Sequence, residues 1–233
     1  MASVDDLGTR SPDIGTRVVP ERPRLRREAL VICALVLLVQ IVLGIKPSAD
    51  RFTWALENFP VWIGLIALPF TDRKFPLSRL CLVLLALHSV ILAVGGHYTY
   101  AKVPLGDWAK EWFGWQRNHY DRLGHIAQGF IPAIFVRELL IRSARVRRSW
   151  WLPVLAVACC LAFSACYEFL EWGTAIFSGS AADDFLGTQG DVWDTQWDMF
   201  LAFCGSVVSL ALLSRWHDAS MLRSLDGPVY LKD

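Results

Sequence analysis

The sequence predicts an all-α polytopic membrane protein: a six-transmembrane-helix bundle, both termini cytoplasmic (N-in/C-in), with a Trp-rich helix lying in the outer interface. Three observations carry this expectation. The 233-residue chain is 54% apolar, with a mean hydropathy of +0.37. Six stretches, 29–45, 53–70, 78–96, 123–141, 150–172 and 195–214, are apolar on every side rather than along one stripe. At 1.5 Å per residue each is long enough to cross a hydrocarbon core of about 30 Å. Finally, with the N-terminus inside, sixteen Lys and Arg fall in inner segments and six in outer ones, the bias that orients membrane proteins.

Residues 1–28 are rich in Pro, Arg, Asp and Thr and read as a disordered cytoplasmic tail, too polar for a cleavable signal. The first span then serves as a signal anchor and opens a membrane domain over 29–216. Span two carries Trp54, Glu57, Asn58 and Pro60 near its outer end, and span three is apolar apart from His88 near its middle. In the segment that follows, Asp107 is an expected N-cap. Trp108, Trp112 and Trp115 recur at i, i+4 and i+7, one indole face for a helix in the outer interface.

Span four opens on Asp121, His125 and Gln128, spaced i, i+4 and i+7 on one face, with Gly124 and Gly129 allowing close helix approach. In its other half, Glu138 is expected to pair with Arg142 and Arg137 to snorkel, both structural roles. Span five ends in Tyr167, Glu168 and Glu171. An acidic loop with Asp183 and Asp184 leads to span six, which opens on Asp194 and Asp198 and continues that face as Ala202, Gly205 and Ser209. For Asp194, capping the helix and ligating a metal are equally good roles. Residues 217–233 form a short charged cytoplasmic tail. All six cysteines fall in apolar spans, where they read as small buried hydrophobes rather than disulfides. The formal net charge of +1 says little by itself, and no nucleic acid is expected as a partner.

Applying the topology to depth, Gln40, Glu57, Asn58, His125, Gln128, Glu168, Glu171, Asp194 and Asp198 fall in the outer half and His88 near the midplane; apart from Arg137 and Glu138, nearly every strongly polar intramembrane residue shares one leaflet. A charge at the bilayer centre costs roughly 2.5–3.5 kcal/mol on insertion scales, so the acids must face one another, water or an ion. One imidazole among carboxylates suits a divalent metal, Zn, Mn or Mg. The expected metal ligands are His125, Glu168, Glu171, Asp194 and Asp198, with His125, Glu168 and Glu171 also the acid–base candidates. His88, Asp121, Gln128, Tyr167 and Glu57 form a secondary polar pocket around them. No His-Glu-x-x-His, Gly-x-Ser-x-Gly or phosphate-loop motif fixes a reaction.

Three stretches, Asp121-Arg-Leu-Gly-His125-Ile-Ala-Gln-Gly-Phe130, Tyr167-Glu-Phe-Leu-Glu-Trp172 and Gly187-Thr-Gln-Gly-Asp-Val-Trp-Asp-Thr-Gln-Trp-Asp-Met199, together resemble the YjdF-like family of bacterial inner-membrane proteins over roughly residues 30–215. The resemblance implies a multi-pass topology and an inner-membrane location, and no reaction. A looser pattern is similar to VanZ-like membrane proteins: Asp121 and His125 opening a span, Glu168 or Glu171 ending the next, and Asp194 or Asp198 opening a third. Here Glu171 stands where that pattern has a Gln.

The leading expectation is a metal-dependent enzyme or binding protein whose partners are the lipid bilayer and a lipid or envelope precursor. The alternatives are a proton- or cation-coupled transporter, and a scaffold whose polar network only holds the helices together.

Overall fold

The architecture was obtained as a computed structural model that describes residues 23–72, 74–178 and 188–224. Within these residues all regular structure is helical: α1 (Pro23–Gly44), α2 (Arg51–Thr71), α3 (Arg79–Tyr98), a short 3₁₀ turn (Tyr100–Lys102), α4 (Pro104–Phe113), α5 (Tyr120–Arg142), α6 (Trp151–Ser178) and α7 (Asp194–Ser224). The expected tail lies outside the described residues as far as residue 22, and so does the part of the acidic loop that holds Asp183 and Asp184. Residues 23–28, expected in the tail, form the first turns of α1. Likewise α7 runs ten residues past the expected end of span six.

Five helices, α1, α3, α5, α6 and α7, are long and apolar enough to cross a membrane. The other expected span, α2, is 21 residues long but carries Glu57, Asn58, Pro60 and Pro69 within it. Large apolar side chains cover the outside of the bundle, among them Leu35, Ile41, Ile63, Phe70 and Leu212, each more than half exposed. In water such a surface is unfavourable; against lipid tails it costs nothing, which is the physical mark of a membrane fold. Cys159 and Cys166 share this exposed surface, and Cys33 and Cys204 are half-buried. Only Cys81 and Cys160 fit the expectation of buried cysteines, because α1, α6 and α7 each turn one side outward.

The central helix is α5, the most buried of the five, whereas α1 lies at the periphery. It meets α7 at glycines: a Cβ on Gly129 would strike the Ala202 backbone, and one on Gly205 would strike the backbone of Ile126. Between membrane helices, where burial from water offers no drive, this close approach supplies the packing. Asp50 starts α2, its carboxylate accepting from the amides of Phe52 (2.8 Å) and Thr53 (3.1 Å) and the Thr53 hydroxyl (2.5 Å). The Thr53 hydroxyl and those amides hold the Asp50 carboxyl below the usual carboxylate range.

At the end of the bundle where α5 stops, the polar residues differ from expectation. Glu138 does pair with Arg142 (2.5 Å), but Arg137 does not snorkel. It is 6% exposed, donates to Nδ1 of His217 (2.9 Å) and pairs with Asp218 (2.8 Å). The extra turns of α7 bring His217 and Asp218 within reach and so draw the guanidinium inward. Glu138 in turn accepts from His217 Nε2 (3.0 Å), the Ser78 hydroxyl (2.6 Å) and the Ser78 amide (2.9 Å), locking α3, α5 and α7 together. A second buried polar cluster therefore exists where the sequence suggested isolated residues.

Candidate functional site: a buried histidine among carboxylates

At the opposite end of the bundle, the ligand atoms of Asp121, His125 and Asp198 all lie within 4.8 Å of one another. The three residues are 7%, 5% and 3% exposed. Asp121 sits in the first turn of α5, where the helix dipole favours an anion, and His125 follows one turn later on the same face. Asp198 comes from the second turn of α7, brought there by the glycine crossing two turns further along.

The imidazole has a defined orientation. Its Nδ1 meets Oε1 of Gln128 at 3.0 Å, so that nitrogen carries the proton and donates. Nε2 then faces the carboxylates, 3.5 Å from Oδ1 of Asp121 and 3.8 Å from Oδ1 of Asp198. Two donors each about 2.1 Å from a tetrahedral ion stand roughly 3.4 Å apart, so this spacing is close to that of ligands around a small dication. The donor set, one borderline nitrogen and two hard oxygens, also fits such an ion.

Around this group the other acids take distinct positions. Glu168, 5% exposed on α6, has Oε1 without a hydrogen-bond partner, as does Asp198 at Oδ1. Glu171, one turn on, lies in electrostatic reach of Glu168, His125, Asp121 and Glu57. Glu57 on α2 accepts from the Tyr167 hydroxyl (3.0 Å). Beside it Asn58 accepts from Gln40 Nε2 (2.9 Å), and Gln40 from Trp62 (3.2 Å). His88 is buried with Nε2 unpartnered and has no described contact to the group. Asp194 is bound by Arg117 at 2.5 Å, and Asp191, not Asp194, takes the amide at the start of α7, accepting from Trp193 N at 3.0 Å. Of the five residues expected as ligands, the structure thus brings two together, His125 and Asp198, and adds Asp121 from the expected surrounding pocket.

Sequence reasoning missed the roof. Arg117 reaches Oδ2 of Asp121 (3.2 Å), Asp194 (2.5 Å) and the carbonyl of Thr188 (2.7 Å). Arg122 pairs with Asp191 (2.7 Å) and lies over the Trp197 ring. Asn118 and Gln189 exchange two bonds: Asn118 N donates to Gln189 Oε1 (3.0 Å), and Gln189 Nε2 donates to Asn118 O (2.9 Å). Except for Arg117 and Asp121, an i,i+4 pair, these partners stand about 70 residues apart, and no local pattern announces them. The expected cap also fails: α4 starts at Pro104 with no side-chain cap, because Asp107 instead accepts from Asn118 Nδ2 (2.9 Å). Gly114, left-handed at φ 66°, ends α4 before Trp115, which leaves the helix face and packs on Phe113 and His119. His119 is held below the usual imidazole range, first by burial and then by Arg122 and Arg117.

Fold and site together define a multi-pass helical membrane protein with a buried histidine–carboxylate group at one end of the bundle. The chain belongs to the family described as predicted membrane protein (DUF2238), whose model matches residues 28–219. It is 47% identical over 186 residues to the inner membrane protein YjdF of Escherichia coli (strain K12), covering 80% of this chain and 88% of that one. It is accordingly a multi-pass protein of the inner membrane. No solved structure matches it.

Proposed function

We propose that this chain spans the membrane six times with both termini cytoplasmic and holds a divalent cation, Zn, Mn or Mg, in the outer half of the bundle. Asp121, His125 and Asp198 are its ligands, and the polar group of a lipid or envelope intermediate is its substrate. The observation that carries this reading is the convergence of three buried donors at metal-like spacing, with the far ring nitrogen of His125 already fixed by Gln128. A bound dication would offset the crowded negative charge and polarise a water or substrate oxygen. Glu168 is then the general base, its unpartnered Oε1 taking the proton released there. Glu171, Asp194 and the Glu57–Tyr167 pair complete the wall.

The contrast between the two polar clusters supports chemistry over scaffolding. Around Glu138 and His217 the described groups hydrogen-bond one another, as a purely structural network requires. Around His125, two carboxylate oxygens remain without a hydrogen-bond partner, Oδ1 of Asp198 and Oε1 of Glu168. Burying such atoms is costly unless something else meets them.

Metal analysis of the purified chain, followed by zinc titration, tests the proposal. One ion per chain is expected, and His125→Ala and Asp198→Asn should each weaken binding more than about ten-fold. A parent protein that binds no dication, or folded variants that bind it equally well, would overturn the reading.

A further inference from the structure

The His125 group is sealed, and its cover is of two kinds. On the helix side, α5 and α7 touch backbone to backbone at Gly129 and Gly205 and cannot part without unpacking the centre of the bundle. On the loop side, the short strap Thr188–Trp193 is tied to the group through Arg117, and its large apolar side chains point outward: Val192 is 85% and Trp193 63% exposed. Polar contacts hold the strap to the segment Arg117–Arg122. Among them are the two Asn118–Gln189 bonds, Arg117 to the Thr188 carbonyl, and Arg122 and Arg117 to Asp191. A turn with two left-handed residues, Gln189 (φ 48°) and Gly190 (φ 85°), places the Gln189 amide against the backbone of Asn118. A side chain that mimics a strand partner gives pairing without the cooperativity of a ladder, so it can break alone.

We infer that Thr188–Trp193 is a lid over the His125 group, latched by Gln189 and reported to the site by Arg117. Ion and substrate reach the group when the lid lifts. The inference rests on the metal-site reading for what enters, and on the strap's own contacts for the motion. Arg117 links the two because one guanidinium grips both the strap, at Thr188 O, and a ligand carboxylate, at Asp121 Oδ2. With the lid down, one oxygen of Asp121 is held on Arg117 while the other faces His125. With it up, Arg117 loses its strap carbonyl and Asp121 is freer to turn toward an arriving cation. Asn118 stays in place throughout, fixed by Val103, Asp107 and Tyr120.

The test uses the full chain in detergent and the exposed substitution Gln189→Ala, which touches no proposed ligand. Hydrogen exchange should show the amides of 188–193 exchanging faster than those of α5 in the parent. In the variant they should exchange on the order of ten-fold faster still, with α5 unchanged. Zinc uptake and its extraction by a chelator should both accelerate by a similar factor, leaving the equilibrium affinity within about three-fold. Strap amides as protected as those of α5, or zinc exchange unchanged in a variant whose strap opens faster, would sink the lid. A strap that opens as described in a protein that takes up no zinc leaves the lid standing and removes the metal reading instead.

Discussion

Gln128 shows how one neutral residue can decide the chemistry of its neighbour. A neutral imidazole carries one proton, and whichever nitrogen holds it cannot ligate a metal. By accepting from Nδ1 at 3.0 Å, Gln128 leaves Nε2 as the ring nitrogen that faces Asp121 and Asp198, the one that can give up a proton and ligate. Gln128→Ala should therefore weaken zinc affinity by roughly 10–100-fold while the protein remains folded and the ion count at saturation stays at one. Titration of purified protein checks this, and an unchanged affinity would mean the ring is oriented by something else. Legibility at this scale was uneven for a physical reason. Asp121, His125 and Gln128 were readable as one stripe because helix geometry fixes neighbours three and four apart. Asp121 was nevertheless placed in the surrounding pocket, since its position relative to Asp198 depends on how two helices cross. Arg117 read only as one more loop charge, although it bonds both Asp121 and Asp194.

Among the elements, the α5–α7 crossing matters most, because it alone sets the separation of His125 from Asp198. The sequence showed its parts, Gly124 and Gly129 open to some neighbouring helix and Ala202, Gly205 and Ser209 as small residues on one face, without pairing the two helices. It could not reveal that Gly124 serves a different neighbour, the Tyr100 ring, while Gly129 takes the Ala202 backbone. Gly129→Ala would drive a methyl into that carbonyl and push the helices apart. Overpacking of this kind costs about 1–3 kcal/mol, and here the displacement also carries Asp198 away from the imidazole. The expected outcome is a lower melting temperature in detergent together with weaker zinc binding. Gly64→Ala, where nothing lies within 4 Å of the added carbon, should change neither. Equal behaviour of the two variants would dissociate the crossing from the site. Helix ends were the least legible feature. The polar turns that extend α7 to Ser224 bear His217, Asp218 and Arg223 and read as a tail, yet they are held by Glu138, Arg137 and Arg148. Hydropathy marks where lipid contact ends, not where the helix does.

Over the whole molecule, the two polar clusters occupy opposite ends of α5. His125 and Glu138 are thirteen residues apart, which is about 20 Å along a helix and most of the ~30 Å hydrocarbon core. Arg137 and Glu138, the expected exceptions to a one-sided polarity, belong to a hydrogen-bonded cluster with His217, and what distinguishes the two ends is satisfaction rather than polarity. The Glu138 cluster is closed on itself, with Arg142, Arg145, Arg147 and Arg148 gathered nearby in the chain. The His125 end is flanked by α4, with Trp108 and Trp112 exposed, and by the strap. An arginine-rich end facing the cytoplasm and an aromatic end facing out is the arrangement that the distribution of positive charge favours. It can be tested with single cysteines placed at Trp112 and at Arg145 in a background lacking the native thiols. In intact cells, a membrane-impermeant maleimide should label Trp112→Cys once the outer membrane is permeabilised and leave Arg145→Cys untouched. Inverted inner-membrane vesicles should reverse the pattern. Labelling of Arg145→Cys from outside would place the His125 group on the cytoplasmic side. The substrate would then have to be a cytoplasmic or inner-leaflet molecule rather than an envelope intermediate, even if the metal site itself were sound.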